Sequence, residues 1–207
     1  MNRGRNMFMK YDCYFFDDPP GQISWHRIES ISLVEVVTGA APRLETSVKA
    51  CWSEEALFIR FMCEDDHTVA TMTNRDDPLF LEDVVEVFLD LTGTGEMYYE
   101  FEVSPRNVVF DAMIKNDLQG HIDVDTSWDA NGLETTVRLE SNGRRTYEMK
   151  IPFTDIGQPP SDGIEWRWNA FRIDDDPQGN RHYWAWSPTG AVQFHLPRKF
   201  GILVFHR

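Results

Sequence analysis

Along most of the chain apolar and polar positions alternate with a period of two. In Leu57-Phe58-Ile59-Arg60-Phe61-Met62-Cys63, the residues Leu57, Ile59, Phe61 and Cys63 fall on one side, as in a half-buried strand. Residues 84–91 and 97–104 repeat the pattern. Gly93-Thr94-Gly95 between them reads as a turn, so the two segments predict an antiparallel hairpin. Further strands are predicted at residues 31–38, 43–52, 108–115, 133–140, 145–152, 166–173, 181–186 and 201–206. Turn-rich joints separate several of them, among them Asn131-Gly132, Asn142-Gly143, Pro159-Pro160-Ser161-Asp162-Gly163 and Asp174-Asp175-Asp176-Pro177-Gln178-Gly179-Asn180. Strands at this spacing, with scarcely any helical periodicity, predict an all-β protein: a single β-sandwich of mostly antiparallel strands. The sandwich is expected over residues 11–207, behind a mobile segment at residues 1–10, with no internal repeat or interdomain linker.

Charge narrows the partners. Twenty Lys and Arg against 34 Asp and Glu give a net charge of −14, which argues against nucleic acid, because phosphate recognition rests on a basic footprint. With 42% apolar residues over 207 positions the chain can close a core, and disorder is excluded. Seven Trp and 14 Phe are more rings than packing alone usually demands, and such rings often serve as flat contact surfaces for a ligand. Cys13, Cys51 and Cys63 form an odd set without a CxxC, against a disulfide framework or a zinc knuckle. A hairpin turned at Ser53-Glu54-Glu55-Ala56 places Cys51 opposite about residue 58 and Cys63 opposite about residue 46, so free buried thiols are expected. The opening residues carry no secretory pattern, and no 18-residue apolar run occurs. The chain as written is therefore expected to be soluble and unexported, with no membrane partner; its oligomeric state stays open.

The predicted hairpin carries the most suggestive chemistry. With Val85, Val87 and Leu89 on the apolar side, Val84, Glu86, Phe88 and Asp90 face the other way. On the second strand Met97, Tyr99, Phe101 and Val103 form the apolar set and leave Tyr98, Glu100, Glu102 and Ser104 opposite. Acids and aromatics thus share one face. It reads either as a solvated sheet surface or as a groove for a polyhydroxylated ligand, whose hydroxyls donate to carboxylates while its C–H faces lie on rings. A glycosidase needs two carboxyl groups about 5–9.5 Å apart across the scissile bond, and the sequence fixes no such distance. The acidic runs Glu64-Asp65-Asp66, Asp76-Asp77, Glu82-Asp83 and Asp174-Asp175-Asp176 lack EF-hand spacing. They read first as solvated loop charge, with structural calcium among them as the second reading. The six histidines form no HxH or HExxH, so no catalytic zinc is expected, and Ser187 lacks the glycines of a nucleophile elbow.

Three segments read together resemble the family 9 carbohydrate-binding modules. Arg75-Asp76-Asp77-Pro78-Leu79-Phe80-Leu81-Glu82-Asp83-Val84-Val85-Glu86-Val87-Phe88-Leu89-Asp90 is similar to that family's aromatic-x-x-D-x-V-E-[IV]-F stretch. Tyr98-Tyr99-Glu100-Phe101-Glu102-Val103-Ser104-Pro105 resembles the strand that follows it in stand-alone relatives. Trp186-Ser187-Pro188, then Phe194-His195-Leu196-Pro197-Arg198-Lys199-Phe200-Gly201-Ile202-Leu203, resembles the closing W-S-x-P … aromatic-x-x-P-x-x-F-G-x-L. The resemblance implies a jelly-roll-like sandwich with a sugar held between two facing rings, often with structural calcium. Carried over by position, the clamp falls on Phe80 and Phe194, and the hydroxyl-binding acid on Glu86. Glu102 and Ser104 fall where better-studied members place an arginine and an asparagine, and Trp186 either supports the slot or lines it. The early D-G-x-x-D-x-x-W stretch is reduced to a glycine and a tryptophan in Pro20-Gly21-Gln22-Ile23-Ser24-Trp25, so an amino-terminal calcium site is not expected. Non-catalytic binding of a mono- or disaccharide is the expectation. A haem-binding redox domain on a related sandwich is the alternative, and a glycoside-cleaving enzyme a further one; neither an axial pair nor a CxxCH identifies haem.

Overall fold

The computed structural model describes residues 8–17 and 23–207. Pro20, Gly21 and Gln22 and most of the expected mobile segment lie outside those residues. Fourteen strands are described in chain order. They are β1 (Lys10–Tyr14), β2 (Ile31–Ser32), β3 (Val34–Glu35), β4 (Thr46–Trp52), β5 (Ala56–Glu64), β6 (Val84–Asp90) and β7 (Met97–Val103). There follow β8 (Val109–Asn116), β9 (Ile122–Asp125), β10 (Glu134–Leu139), β11 (Arg144–Pro152), β12 (Glu165–Asp175), β13 (Arg181–Ala185) and β14 (Gly201–His206). One short helix, α1 (Phe153–Ile156), follows β11.

The strands form two sheets, and the protein is a β-sandwich. The larger sheet runs β1-β14-β12-β6-β7-β8-β9, the smaller β10-β11-β5-β4-β2. β12 is long enough to pair with β6 along one edge and, along the other, with β14 at its start and β13 at its end. β1 lies parallel to β14; the other pairings between described strands are antiparallel. The β4–β5 register sets Cys51 opposite Phe58 and Thr46 opposite Cys63, as expected, and all three thiols are free and buried.

Three differences from the expected elements have local causes. The strand expected at residues 31–38 is split: β2 pairs in the smaller sheet, Leu33 is buried between, and β3 pairs with β13 in the larger sheet. It ends because the Glu35 carboxylate accepts the N–H groups of Val37 (3.1 Å) and Thr38 (2.7 Å), which turns the chain. β1 was not expected at all; it is held by a partner almost 200 residues away, with Lys10 opposite Ile202. β9 was also unexpected, four residues without clean alternation.

Between the sheets lies the main core, where Val85, Val87, Leu89, Phe101 and Val103 meet Ile59, Phe61, Met149 and the indoles of Trp168 and Trp186. The turn between β6 and β7 is fixed by Asp90, whose carboxylate accepts N–H groups from Thr92 (3.0 Å), Gly93 (2.8 Å) and Gly95 (2.8 Å). Gly93 and Gly95 both have φ above +70°, a conformation that favours glycine. The opposite face of β6 and β7 is covered rather than solvated. A second apolar cluster, including Val36, Leu79, Phe88, Tyr98, Phe110, Phe171, Phe194 and Phe200, buries it, so every residue of β6 is buried.

Candidate functional site

On that covered face, cross-strand register assembles two rows of side chains. Phe171 on β12 is opposite Glu86 on β6, which is opposite Glu102 on β7, which is opposite Phe110 on β8. In the next row Asn169 is opposite Phe88, Phe88 opposite Glu100, and Glu100 opposite Ala112, a small residue that leaves room above the carboxyl. Two identical acids directly opposite one another destabilise a sheet pair, and burial compounds the cost. Glu86 and Glu102 are each 1% exposed and Glu100 is 4% exposed. Such an arrangement in a cleft marks a functional site more often than a structural one.

The three acids line a cavity of about 450 Å³, with Phe80, Phe110, Tyr183 and Phe194 as ring walls and Arg181 and His195 at its edge. One oxygen of each glutamate lies within 4.8 Å of the other two. Glu86 Oε1 and Glu102 Oε2 are buried with no hydrogen-bond partner. Burial, reinforced by the neighbouring acids, holds Glu86 and Glu102 well above the ordinary carboxylate range, and burial pushes Glu100 up to about 8.

His195 is oriented by a chain of hydrogen bonds. Asn116 Nδ2 donates to the Tyr98 hydroxyl (3.4 Å), and that hydroxyl shares a hydrogen bond with His195 Nδ1 (3.0 Å). The other ring nitrogen, Nε2, lies 4.0 Å from Glu100 Oε1. Burial lowers the imidazole to about 4, so at neutral pH the ring is neutral and not the cation of an ion pair.

The sequence-derived residues divide cleanly. Phe80, Glu86, Glu102 and Phe194 are brought together around the cavity. Phe80 is 47% exposed, whereas Phe194 is 9% exposed and stacks on Phe171 with centroids 4.1 Å apart and planes 11° from parallel. Trp186 and Ser104 are not part of it. Trp186 is buried between the sheets against Trp168, 5.2 Å between centroids, and sits so tightly over Gly201 that a side chain there would collide with it. Ser104 is a turn residue whose Oγ accepts N–H groups from Arg106 (3.3 Å) and Val108 (3.2 Å). Glu100 was placed on the right face by its spacing but left out of the expected ligand set, although Glu102 two positions on shares its side of the strand. Nothing local in the sequence points to Arg181, Tyr183 or His195.

The acidic runs are largely committed elsewhere. Asp65 pairs with Arg145 (2.9 Å), Asp66 with Arg43 (2.7 Å), Asp174 with Arg43 (2.9 Å) and Arg172, and Asp175 with Arg181. Glu82 and Asp83 accept backbone N–H groups from Thr71 (2.6 Å) and Val69 (2.7 Å). Asp76, Asp111 and Asp129 do converge, but the Arg75 guanidinium bridges Asp111 and Asp129. A calcium ion needs six to eight oxygens, and there it would have to displace that guanidinium, so these residues do not fit one as they stand.

A larger groove, about 590 Å³, lies over the outer face of the smaller sheet near Trp25, Phe58 and Arg60. Its charges are matched: Arg60 pairs with Glu148 and lies 4.5 Å over Trp25, and Lys150 pairs with Glu134 (2.6 Å). Unanswered carboxyl oxygens distinguish the smaller cavity, which is therefore the candidate site.

Sandwich, covered outer face and acid-aromatic cavity together define a β-sandwich ligand-binding domain. A family model described as "Carbohydrate family 9 binding domain-like" matches residues 18–207, and the chain belongs to that family. It is 25% identical over 93% of its length to a protein of Arthroderma benhamiae described as an extracellular protein, 93% of which is covered. In fold it resembles a putative carbohydrate-binding protein from Bacteroides uniformis (TM-score 0.76, 18% identity, 96% of this chain and 100% of that one). It also resembles a family 9 carbohydrate-binding module from Caldicellulosiruptor kristjanssonii in complex with glucose (TM-score 0.71, 15% identity, 96% and 97%). The same holds for that organism's module in complex with cellotriose (TM-score 0.71, 14% identity, 96% and 94%).

Proposed function

We propose that this chain binds a mono- or disaccharide unit, without cleaving it, in the cavity over β6 and β7. The observation that carries the reading is the meeting of buried carboxyl groups with aromatic walls in one cavity of about 450 Å³, within the size range of small-ligand pockets. Family membership and similarly folded modules that hold glucose and cellotriose support it. In this reading Phe80 offers a free ring to a sugar's C–H face, and Phe194, backed by Phe171, offers a rigid wall. The glutamates and His195 Nε2 meet the hydroxyls.

Two features favour binding over other chemistry. The glutamates crowd one patch on two adjacent strands instead of standing on opposite sides of a cleft, as the two carboxyl groups that flank a scissile bond do. The wall contains a histidine but no methionine to complete a haem axial pair, and that histidine's Nδ1 is engaged by Tyr98. Calorimetric titration of the full chain with common mono- and disaccharides tests the proposal. Saturable binding that weakens in Phe80→Ala is expected; a panel to which the intact protein is inert would refute it.

A further inference from the structure

Glu86, Glu100 and Glu102 form a crowded carboxyl triad in which two buried oxygens have no hydrogen-bond partner. Both orphan oxygens, Glu86 Oε1 and Glu102 Oε2, belong to side chains more than nine-tenths buried that line the cavity. Sugar hydroxyls can meet these oxygens while the carboxyls keep their protons, but they offer no countercharge to a carboxyl that ionises. The lining residues supply none either. Arg181 donates to both carboxylate oxygens of Asp175, at 2.9 and 2.8 Å, and to the Leu81 carbonyl, and His195 is neutral.

The geometry suits a particular donor. A protonated primary amine has three N–H groups in a tetrahedral fan; acceptors about 2.8 Å from its nitrogen stand about 4.6 Å from one another. One oxygen from each glutamate lies no more than 4.8 Å from the other two, a bound that admits such a fan without fixing it. Phe80, Phe110, Tyr183 and Phe194 add ring faces that attract a cation and cover an organic body, whereas a bare metal ion would leave most of the cavity unfilled.

We propose that the preferred ligand is an amino sugar, a saccharide end bearing a protonated primary amine, with its ammonium seated on Glu86, Glu100 and Glu102. This rests on the saccharide reading above and specifies its ligand class. The groups facing the ammonium are Glu86 from β6, Glu100 and Glu102 from β7, Arg181 and Tyr183 from β13, and His195 from the loop before β14. Burial favours the protonated carboxyls in the empty cavity, so an arriving ammonium displaces protons and binding releases them. The protein's charge of −14 draws a polyamine glycan toward it at low salt.

The test is calorimetric titration of the full chain near neutral pH, in chelator-treated buffer, with a β-1,4-linked glucosamine disaccharide, its N-acetylated counterpart and cellobiose. The amine-bearing disaccharide is expected to bind on the order of tenfold tighter than either neutral sugar, the scale of a charge-assisted contact. Glu102→Gln is expected to bring that ratio close to one, and Arg60→Ala, on the other sheet, to leave it unchanged. Equal or tighter binding of cellobiose overturns the amino-sugar assignment and leaves the saccharide reading intact; inertness to all three overturns both. Calcium or zinc that alone raises the melting temperature of the wild type, but not of Glu102→Gln, overturns it in favour of a metal. If Glu102→Gln does not fold, the ranking of the three sugars on the wild type decides.

Discussion

The outer faces of the two sheets carry similar materials, acids and rings, arranged to opposite effect. On the smaller sheet Glu148 and Glu134 each have a basic neighbour across a strand pair, Arg60 and Lys150, and all four side chains reach solvent. On the larger sheet Glu86 faces Glu102 and no basic neighbour, and loops seal the acids from water. Matched, solvated charge is nearly neutral for stability, whereas buried, unmatched carboxyls must either keep their protons or carry a costly charge. An arrangement retained despite that cost points to a ligand that relieves it.

The comparison can be broken at several depths. Trp186 supports both faces from the layer between the sheets, so Trp186→Ala is expected to cost about 3–5 kcal/mol of stability, as for a fully buried ring. Chemical denaturation measures it; a variant that kept full stability but lost sugar binding would put the indole at the site and erase the distinction. Phe80→Ala comes next. Affinity for the sugar should fall by roughly 1–2 kcal/mol, while stability stays within about 0.5 kcal/mol because the ring is exposed. Phe194→Ala is a poorer probe, since its stacking on Phe171 makes it part of the fold.

The glutamates and the surface pair respond differently to pH. Raised carboxyls stay protonated in the folded state after the unfolded chain has lost those protons, so the unfolded state binds fewer protons and stability falls as pH rises. For Glu100 the window runs from the ordinary range near 4.5 up to about 8. His195 acts oppositely between about 4 and 6.5, because there the unfolded imidazole is the protonated one. Above about pH 6.5 the glutamates remain, and Glu86→Gln/Glu102→Gln should be more stable than the wild type there, by a margin that shrinks toward pH 5. Thermal melts across that range measure it; a margin that grew on acidification would contradict the burial account. On the other face Glu148→Gln is expected to change stability by less than about 1 kcal/mol, without that pH signature. Smallest of all is the effect of a chelator. With the acidic runs engaged by Arg43, Arg145, Arg172 and Arg181 and by backbone N–H groups, it is expected to leave the melting temperature unmoved.

How far the sequence could be read follows from the range of the forces involved. Alternation within residues 84–91 and 97–104 assigned every side chain to its correct face, because strand geometry forces a period of two. A short turn fixed the β4–β5 register in the same way. That the second face is buried was not legible, since Phe194 and Phe200, which cover it, arrive from about a hundred residues downstream. β1 escaped for the same reason, although Tyr11 and Cys13 alternate inward. Whether Trp186 supports the slot or lines it was not legible, because a motif places a residue in the chain but does not say which side of a sheet its ring will occupy; the indole lies between the sheets.

The position of the indoles sets how occupancy can be watched. Trp168, Trp184 and Trp186 lie behind the large sheet, and no tryptophan lines the cavity among the described residues. Intrinsic emission should therefore stay quiet while a ligand binds. The imidazole resonances of His195, at the rim, are the natural spectroscopic reporter instead.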